Sequence, residues 1–275
     1  MRGYITSSKV QEASGLAMSQ YSDDRFWTHN DSYNTAALFE FDRDGTLLHQ
    51  LDILGVKNRD WEDLASFSIG DKHYIAIGDI GDNFDERDVY SIHVIEEPDP
   101  STWGEKSRTA VRPSWSIKFV YPDGYHDCES LAYDPHTNSF LLLTKRDAPP
   151  VFYSLPLKPD NTEQVVTAKR LGEIAPIPGP ASFAFRLTDI VGITDWPTAM
   201  DISRDGKQLV VLTYGTAYCY AYDGRSWLSS LKRLPTEVPF PALEQAEAVA
   251  VDNQTQHILI TSEKLPAPIR YLPIE

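Results

Sequence analysis

The chain has 275 residues, 41% of them hydrophobic and 24% charged, a balance that supports a packed core and excludes general disorder. Its formal net charge of −15 opposes a polyphosphate backbone, which recruits Lys and Arg, so nucleic acid is excluded as a partner. No run approaches the ~18 apolar residues of a membrane span, and "MRGYITSSKV" has no apolar stretch of signal-peptide length; a soluble, cytoplasmic protein is expected, or an exported one if a leader precedes this sequence.

The N-terminal "GYITSSKV" reads as a lone strand. From residue 13, "ASGLAMSQYSDDRFWTHND" gives a strand, a polar turn and a second strand, and "AALFEFD" and "TLLHQLDIL" add two more. The order recurs from 61, where "WEDLASFSIGDKHYIAIGD" precedes "VYSIHVIEE" and "SWSIKFVYP". From 127, "DCESLAYDPHTNSFLLLTKRD" precedes "VFYSLPL" and "QVVTAKRLGEI". From 197, "PTAMDISRDGKQLVVLTYG" precedes "AYCYAY" and "SWLSSLKRLP". From 246, "AEAVAVDNQTQHILITSEK" leaves only "PIRYLPIE". Alternating apolar residues broken by Asp-Gly, Pro-Asp and Asn-Thr turns carry the period of strands, and 19 prolines argue against long helices.

Anchored on Ala17, Ala65, Ala132, Asp201 and Ala250, the units step by 48, 67, 69 and 49 residues. Four-stranded units at such intervals predict an all-β fold, a β-propeller of four-stranded antiparallel blades forming one domain over 1–275. Five blades are counted. The two long steps leave room for a divergent sixth around 174–196, a stretch read here as an inserted loop. The last unit lacks its outer strand, and the N-terminal strand is predicted to supply it and close the ring.

Within each hairpin the start of the first strand lies beside the end of the second. In "DCESLAYDPHTNSFLLLTKRD" this sets Glu129 opposite Leu143 and Thr144, with Lys145 and Arg146 just beyond. The same construction brings Glu12 and Ser14 beside Asn30, Glu62 beside Asp79, Thr198 beside Tyr214, and Glu247 beside Thr261 to Glu263. Since the first strand of a blade is the one nearest the axis, these groups are expected around one mouth of the central channel. His29, Asp31, Asp60, Asp63, Asp82, His126, Asp127 and Asp195 fall close behind. The two cysteines, Cys128 and Cys219, match neither a zinc spacing nor a disulfide framework and read as buried thiols.

The segments "HNDS" at 29–32, "DWEDLA" at 60–65, "GDIGDN" at 78–83, "CESLAYDP" at 128–135, "LLLTKR" at 141–146 and "AEAVAVD" at 246–252 resemble a family of bacterial β-propeller proteins of largely uncharacterised function. The resemblance spans most of the chain and implies the propeller fold. It brings no established reaction, and its members often look exported.

Carboxylates crowded into a partly desolvated channel repel one another unless a proton or cation intervenes. An oxygen-rich ring suits Ca²⁺, which takes six to eight oxygen ligands, better than zinc. The expected ligands are Asn30, Glu62, Asp79, Glu129 and Glu247. A cation held there supports a hydrolase, with His29, Glu62 or Glu129 handling protons and Lys145, Arg146, Tyr214 and Trp61 holding a small-molecule substrate. Lactonase-like propellers are similar in placing acidic and amide ligands on inner strands. Two other readings stand beside this one. A carboxylate-pair glycosidase would use Glu62 with Glu129 or Glu247, and Trp27, Tyr33, Trp61, Tyr125, Trp196 and Tyr214 to stack on sugar. A non-catalytic propeller would dock a small ligand or a protein partner.

Overall fold

The computed structural model describes residues 3–104, 106–161, 163–179, 195–241, 243–252 and 256–274. Within them the chain forms five antiparallel sheets arranged as a five-bladed β-propeller. Blade 1 runs outward from the axis as Ala13–Met18, Arg25–Asn30, Ala37–Asp42 and Leu47–Ile53. Blade 2 is Trp61–Ile69, Lys72–Asp79, Tyr90–Glu96 and Trp115–Val120; blade 3 is Cys128–Asp134, Ser139–Thr144, Val151–Pro156 and Lys169–Glu173. Blade 4 is Pro197–Ile202, Gln208–Thr213, Thr216–Ala221 and Thr236–Pro239; blade 5 is Ala246–Asp252, His257–Ser262, Ala267–Pro273 and Gly3–Ile5. Among the described residues no helix is long and apolar enough to cross a membrane.

Two outer strands differ from expectation. "SWLSSLKRLP" does not close blade 4: Ser226 caps a one-turn helix at Trp227–Ser230, its side chain accepting from Ser229 N, and the outer strand follows at Thr236. A Ser at an N-cap competes with strand pairing by satisfying a free helical N–H. "QVVTAKRLGEI" is divided between blades. Val165–Thr167 pairs parallel with the outer strand of blade 2, while Lys169–Glu173 completes blade 3. Arg108–Val111 likewise leaves blade 2 to pair parallel with the outer strand of blade 1. Each of these short strands covers an edge that would otherwise present free backbone groups. They account for part of the long steps; residues 180–194 of the stretch considered for a sixth blade lie outside the described residues.

Neighbouring blades bury apolar side chains against each other. Trp27 and Leu51 of blade 1 meet Leu64 and Ile75 of blade 2, and Phe67 of blade 2 meets Leu131 and Phe140 of blade 3. Phe152 of blade 3 meets Met200 and Val211 of blade 4, Leu212 meets Val249 and Ile260 of blade 5, and Leu259 meets Leu16 and Phe26 of blade 1. Ring closure uses the N-terminal strand as expected, with Gly3, Tyr4 and Ile5 opposite Ile269, Pro268 and Ala267. Ile5 and Val10 have 0% and 1% of their surface exposed in the junction of blades 5 and 1. Deleting residues 1–10 is therefore expected to cost ~3–6 kcal/mol from these two side chains, before counting the exposed edge. A urea midpoint unchanged by the deletion would contradict that closure.

Polar groups inside the ring tie blades together. Asp63 is fully buried on the inner strand of blade 2 and accepts from Leu64 N at 2.9 Å, Leu131 N at 2.9 Å and Met200 N at 3.1 Å, so one carboxylate serves three blades. Asp201 repeats the device, accepting from Ile202 N and from Val251 N of blade 5 at 2.8 Å each. Both satisfy inner-strand N–H groups that have no further strand to pair with.

Glu40, buried in blade 1, is held less well. Arg25 reaches one carboxylate oxygen at 3.5 Å, the other has no hydrogen-bond partner among the described residues, and burial pushes the group up to about 7. The folded protein then keeps a proton that the unfolded chain releases near the ordinary glutamate pKa. Stability from this group is full at low pH and falls as pH rises towards 7. Glu40→Gln is expected to flatten that part of the melting-temperature profile and to melt above the wild type at pH 8. Parallel profiles for the two proteins would contradict it.

Candidate functional site

The inner strands touch in the order of the blades, closing a ring around the channel. Every one of them has a one-residue shift in register near its start. The residue squeezed out is Gly15 in blade 1, then Glu62, Glu129, Thr198 and Glu247. A bulge re-aims the side chain it carries, so three of five blades send a glutamate into the same mouth from equivalent positions. Gly15 has φ 68°, and a Cβ there would stand 2.8 Å from Asp63 Cα; only glycine fits. Ser14 and Thr198 tie the ring instead, donating to the Glu62 and Ala246 carbonyls of the next blade at 2.7 Å each.

Two residues outside the expected ligand set complete a carboxylate group with Glu62. Asp31, just past the second strand of blade 1, and Asp60, just before the first strand of blade 2, place oxygens so that all three groups lie within 4.8 Å of one another. Both loops emerge at the end where inner strands begin, which is the signal in "HNDS" and "DWED". Gly81 gives the group its room, for a Cβ there would lie 2.1 Å from Glu62 Oε1 and 2.6 Å from Asp60 Oδ2. Burial first, then the neighbouring Asp31, raises Asp60 to about 7. Burial, then Glu129, Asp31 and Asp60, pushes Glu62 well above the carboxylate range.

Nearby cations are committed elsewhere. Lys145 pairs with Glu129, each only 5% exposed, as the hairpin register requires. Burial works against the charge on both partners: it raises Glu129 well above the carboxylate range although Lys145 opposes it, and on Lys145 it is outweighed by Glu129 and Tyr214, which hold the ammonium above the ordinary lysine range. Arg146, largely exposed, reaches Asp127 at 3.1 Å and the Asn83 carbonyl at 2.9 Å. Arg87 holds Asp79 at 2.7 Å. The Glu129 Oε2 atom is buried, with no hydrogen-bond partner among the described residues.

Around this centre, Tyr214 donates to Glu247 Oε1 at 2.9 Å. Burial first, and then Glu263 hydrogen-bonded beside it, raise Glu247 well above the usual carboxylate range. Trp196 is half-buried, its ring 5.8 Å from Lys145 Nζ and 5.5 Å from the Arg146 guanidinium carbon.

The remaining expected residues are placed as follows. The Asn30 amide is occupied by backbone, its oxygen accepting from Gln11 N and Glu12 N and its nitrogen donating to the Lys9 carbonyl. Asp79 carries Arg87 and accepts from Asp60 N at 3.2 Å. His29 has no exposed surface: Nδ1 donates to the Asn30 carbonyl at 2.9 Å, the ring lies edge-on to Trp61, and burial lowers its pKa to about 4. Trp61 is fully buried in the junction of blades 1 and 2. Cys128 and Cys219 are buried free thiols, each pushed up by burial to about 12.

No family model and no curated protein sequence matches the chain. Among solved structures, a candidate 6-phosphogluconolactonase from Bacteroides uniformis ATCC 8492 aligns with a TM-score of 0.42 and 11% identity, over 98% of this chain and 70% of its own. Likeness at that level says nothing about this chain's chemistry.

Proposed function

We propose that the mouth is a cation-supported hydrolytic site acting on a small molecule, with Ca²⁺ preferred to Mg²⁺ or Zn²⁺. One observation carries the reading: Asp31, Asp60 and Glu62 converge within 4.8 Å, while Lys145, Arg146 and Arg87 are each paired with a different carboxylate. Two oxygens on one calcium, each ~2.4 Å from it, stand at most ~4.8 Å apart, so the group is small enough to share one ion. All-oxygen donors fit calcium and leave zinc without its preferred nitrogen or sulfur. Glu247 flanks the group and extends the donor set, while Glu129, expected as a ligand, is paired with Lys145 and left to proton transfer; Asn30 and Asp79, also expected as ligands, contribute by holding the loops around it.

A bound divalent ion supplies Lewis-acid polarisation of a carbonyl or phosphoryl oxygen. The chain's own groups do the rest. Glu129 Oε2 accepts a proton from the attacking water, Lys145 keeps Glu129 oriented, and Tyr214 lies between Lys145 and Glu247. Trp196 and Arg146 form the outer wall against which substrate rests.

A binding site without catalysis is favoured by one feature of the same geometry: Lys145 and Arg146 are already engaged by acids, so neither is free to stabilise an anionic transition state. A screen of esters, lactones, phosphoesters and aryl glycosides separates the readings. The expected result is a turnover abolished by chelator, restored by calcium and lost in Glu129→Gln with calcium binding intact. Turnover indifferent to chelator favours a carboxylate pair, and no turnover on any class with calcium bound leaves a binding propeller.

A further inference from the structure

Away from the channel mouth, a cavity of about 470 Å³ opens between the outer strands of blade 3 and the connection of blade 4 that carries the one-turn helix. Its walls are apolar: Leu141, Phe152, Leu155, Leu171, Trp227 and Leu228. Phe152, Leu155 and Trp227 are 0%, 1% and 2% exposed, so the floor is built from packed core. The volume falls within the ~300–1,000 Å³ typical of small-ligand sites.

Its polar groups are unequal. The Asp134 carboxylate at one side is fully used, accepting from His136 N at 3.0 Å, from Trp227 Nε1 at 3.2 Å and from the Thr137 hydroxyl. It has no role left for a ligand. Lys169 and Arg225 line the same cavity, and among the described residues neither is paired with a carboxylate. Nearby, Arg170, Lys207 and Arg233 each meet an acid within 3.3 Å and so are not available to the cavity. In a chain with net charge −15, two unpaired cations at the rim of an apolar cavity are well placed to select an anion.

We propose that this cavity binds a small monocarboxylate with an apolar tail. The carboxylate meets Lys169 and Arg225, and the tail packs on the half-buried Leu171 and Leu228, above the floor that Phe152 helps to form. The site is independent of the channel mouth and of the reading given to it.

Calorimetric titration of the intact protein with decanoate, 3-phenylpropanoate, decanol and decylamine, each below micelle formation, tests this. At least one carboxylate is expected to bind, and decanoate, if it is that one, ~10-fold or more tighter than the alcohol or amine of equal length. The aliphatic and aromatic arms distinguish the kind of tail. Lys169→Glu with Arg225→Glu, both at exposed positions, is expected to remove the preference for the acid. Leu228→Trp, which fills the cavity without adding charge, is expected to weaken carboxylate binding at least ~10-fold. Asp60→Asn is expected to leave carboxylate binding unchanged. Absence of binding by both carboxylates, equal affinity for decanol and the bound acid, indifference to the charge reversal, or loss of binding in Asp60→Asn would each overturn the assignment.

Discussion

Calcium is expected to raise the melting temperature of the wild-type protein and to leave Asp60→Asn and Glu62→Gln unmoved. A ligand at ~100 times its dissociation constant stabilises the state that binds it by ~2.7 kcal/mol. For a chain of this size that is a shift of ~5–10 °C. Ligand atoms of Asp31, Asp60 and Glu62 lie within 4.8 Å of one another, so either substitution takes a carboxylate from the same point. Without calcium the direction reverses. Each variant then has one fewer mutually repelling carboxylate and is expected to melt at or above the wild type. This reversal separates a lost cation site from a damaged fold. A calcium-induced shift of equal size in all three proteins would move the site elsewhere.

The second large effect is expected at Lys145. Lys145→Met leaves the Glu129 carboxylate buried without its partner, a loss of ~3–5 kcal/mol by the usual behaviour of broken buried pairs. Both side chains are only 6% exposed, so water offers little compensation. Adding Glu129→Gln is expected to restore most of the loss, because the uncompensated charge goes with it. The cycle is read by urea denaturation of the four proteins at neutral pH. A near-neutral Lys145→Met, with no further change in the double variant, would show that Glu129 is not kept charged by Lys145.

Much of this architecture was legible because it rests on local pattern. Five hairpins with the same strand-turn-strand order predict five blades, and the unfinished last unit calls for the strand at Gly3–Ile5. The meeting of Glu129 with Lys145 follows from hairpin register alone. What stayed hidden depends on pairing between blades. Nothing in "VVT" says that Val165–Thr167 joins the sheet before its own, since parallel edge pairing is a long-range event. The bulge, too, leaves no mark in composition, although it decides that Glu62, Glu129 and Glu247 face the mouth. Asp31 and Asp60 come from loops of different blades, and only the ring brings them to Glu62. Asn30 and His29 had the right chemistry in the right stretch. Neighbouring backbone occupies the Asn30 amide and His29 Nδ1, and burial removes the remaining imidazole nitrogen from solvent.

Metal content tests most directly whether the three converging carboxylates hold a divalent cation. Protein purified without chelator, analysed for metals and then titrated with calcium in a calorimeter after chelator treatment, is predicted to carry calcium and rebind one ion per chain, with Glu62→Gln doing neither. A well-folded wild-type protein that carries no divalent metal and gives no calcium-binding heat would contradict it.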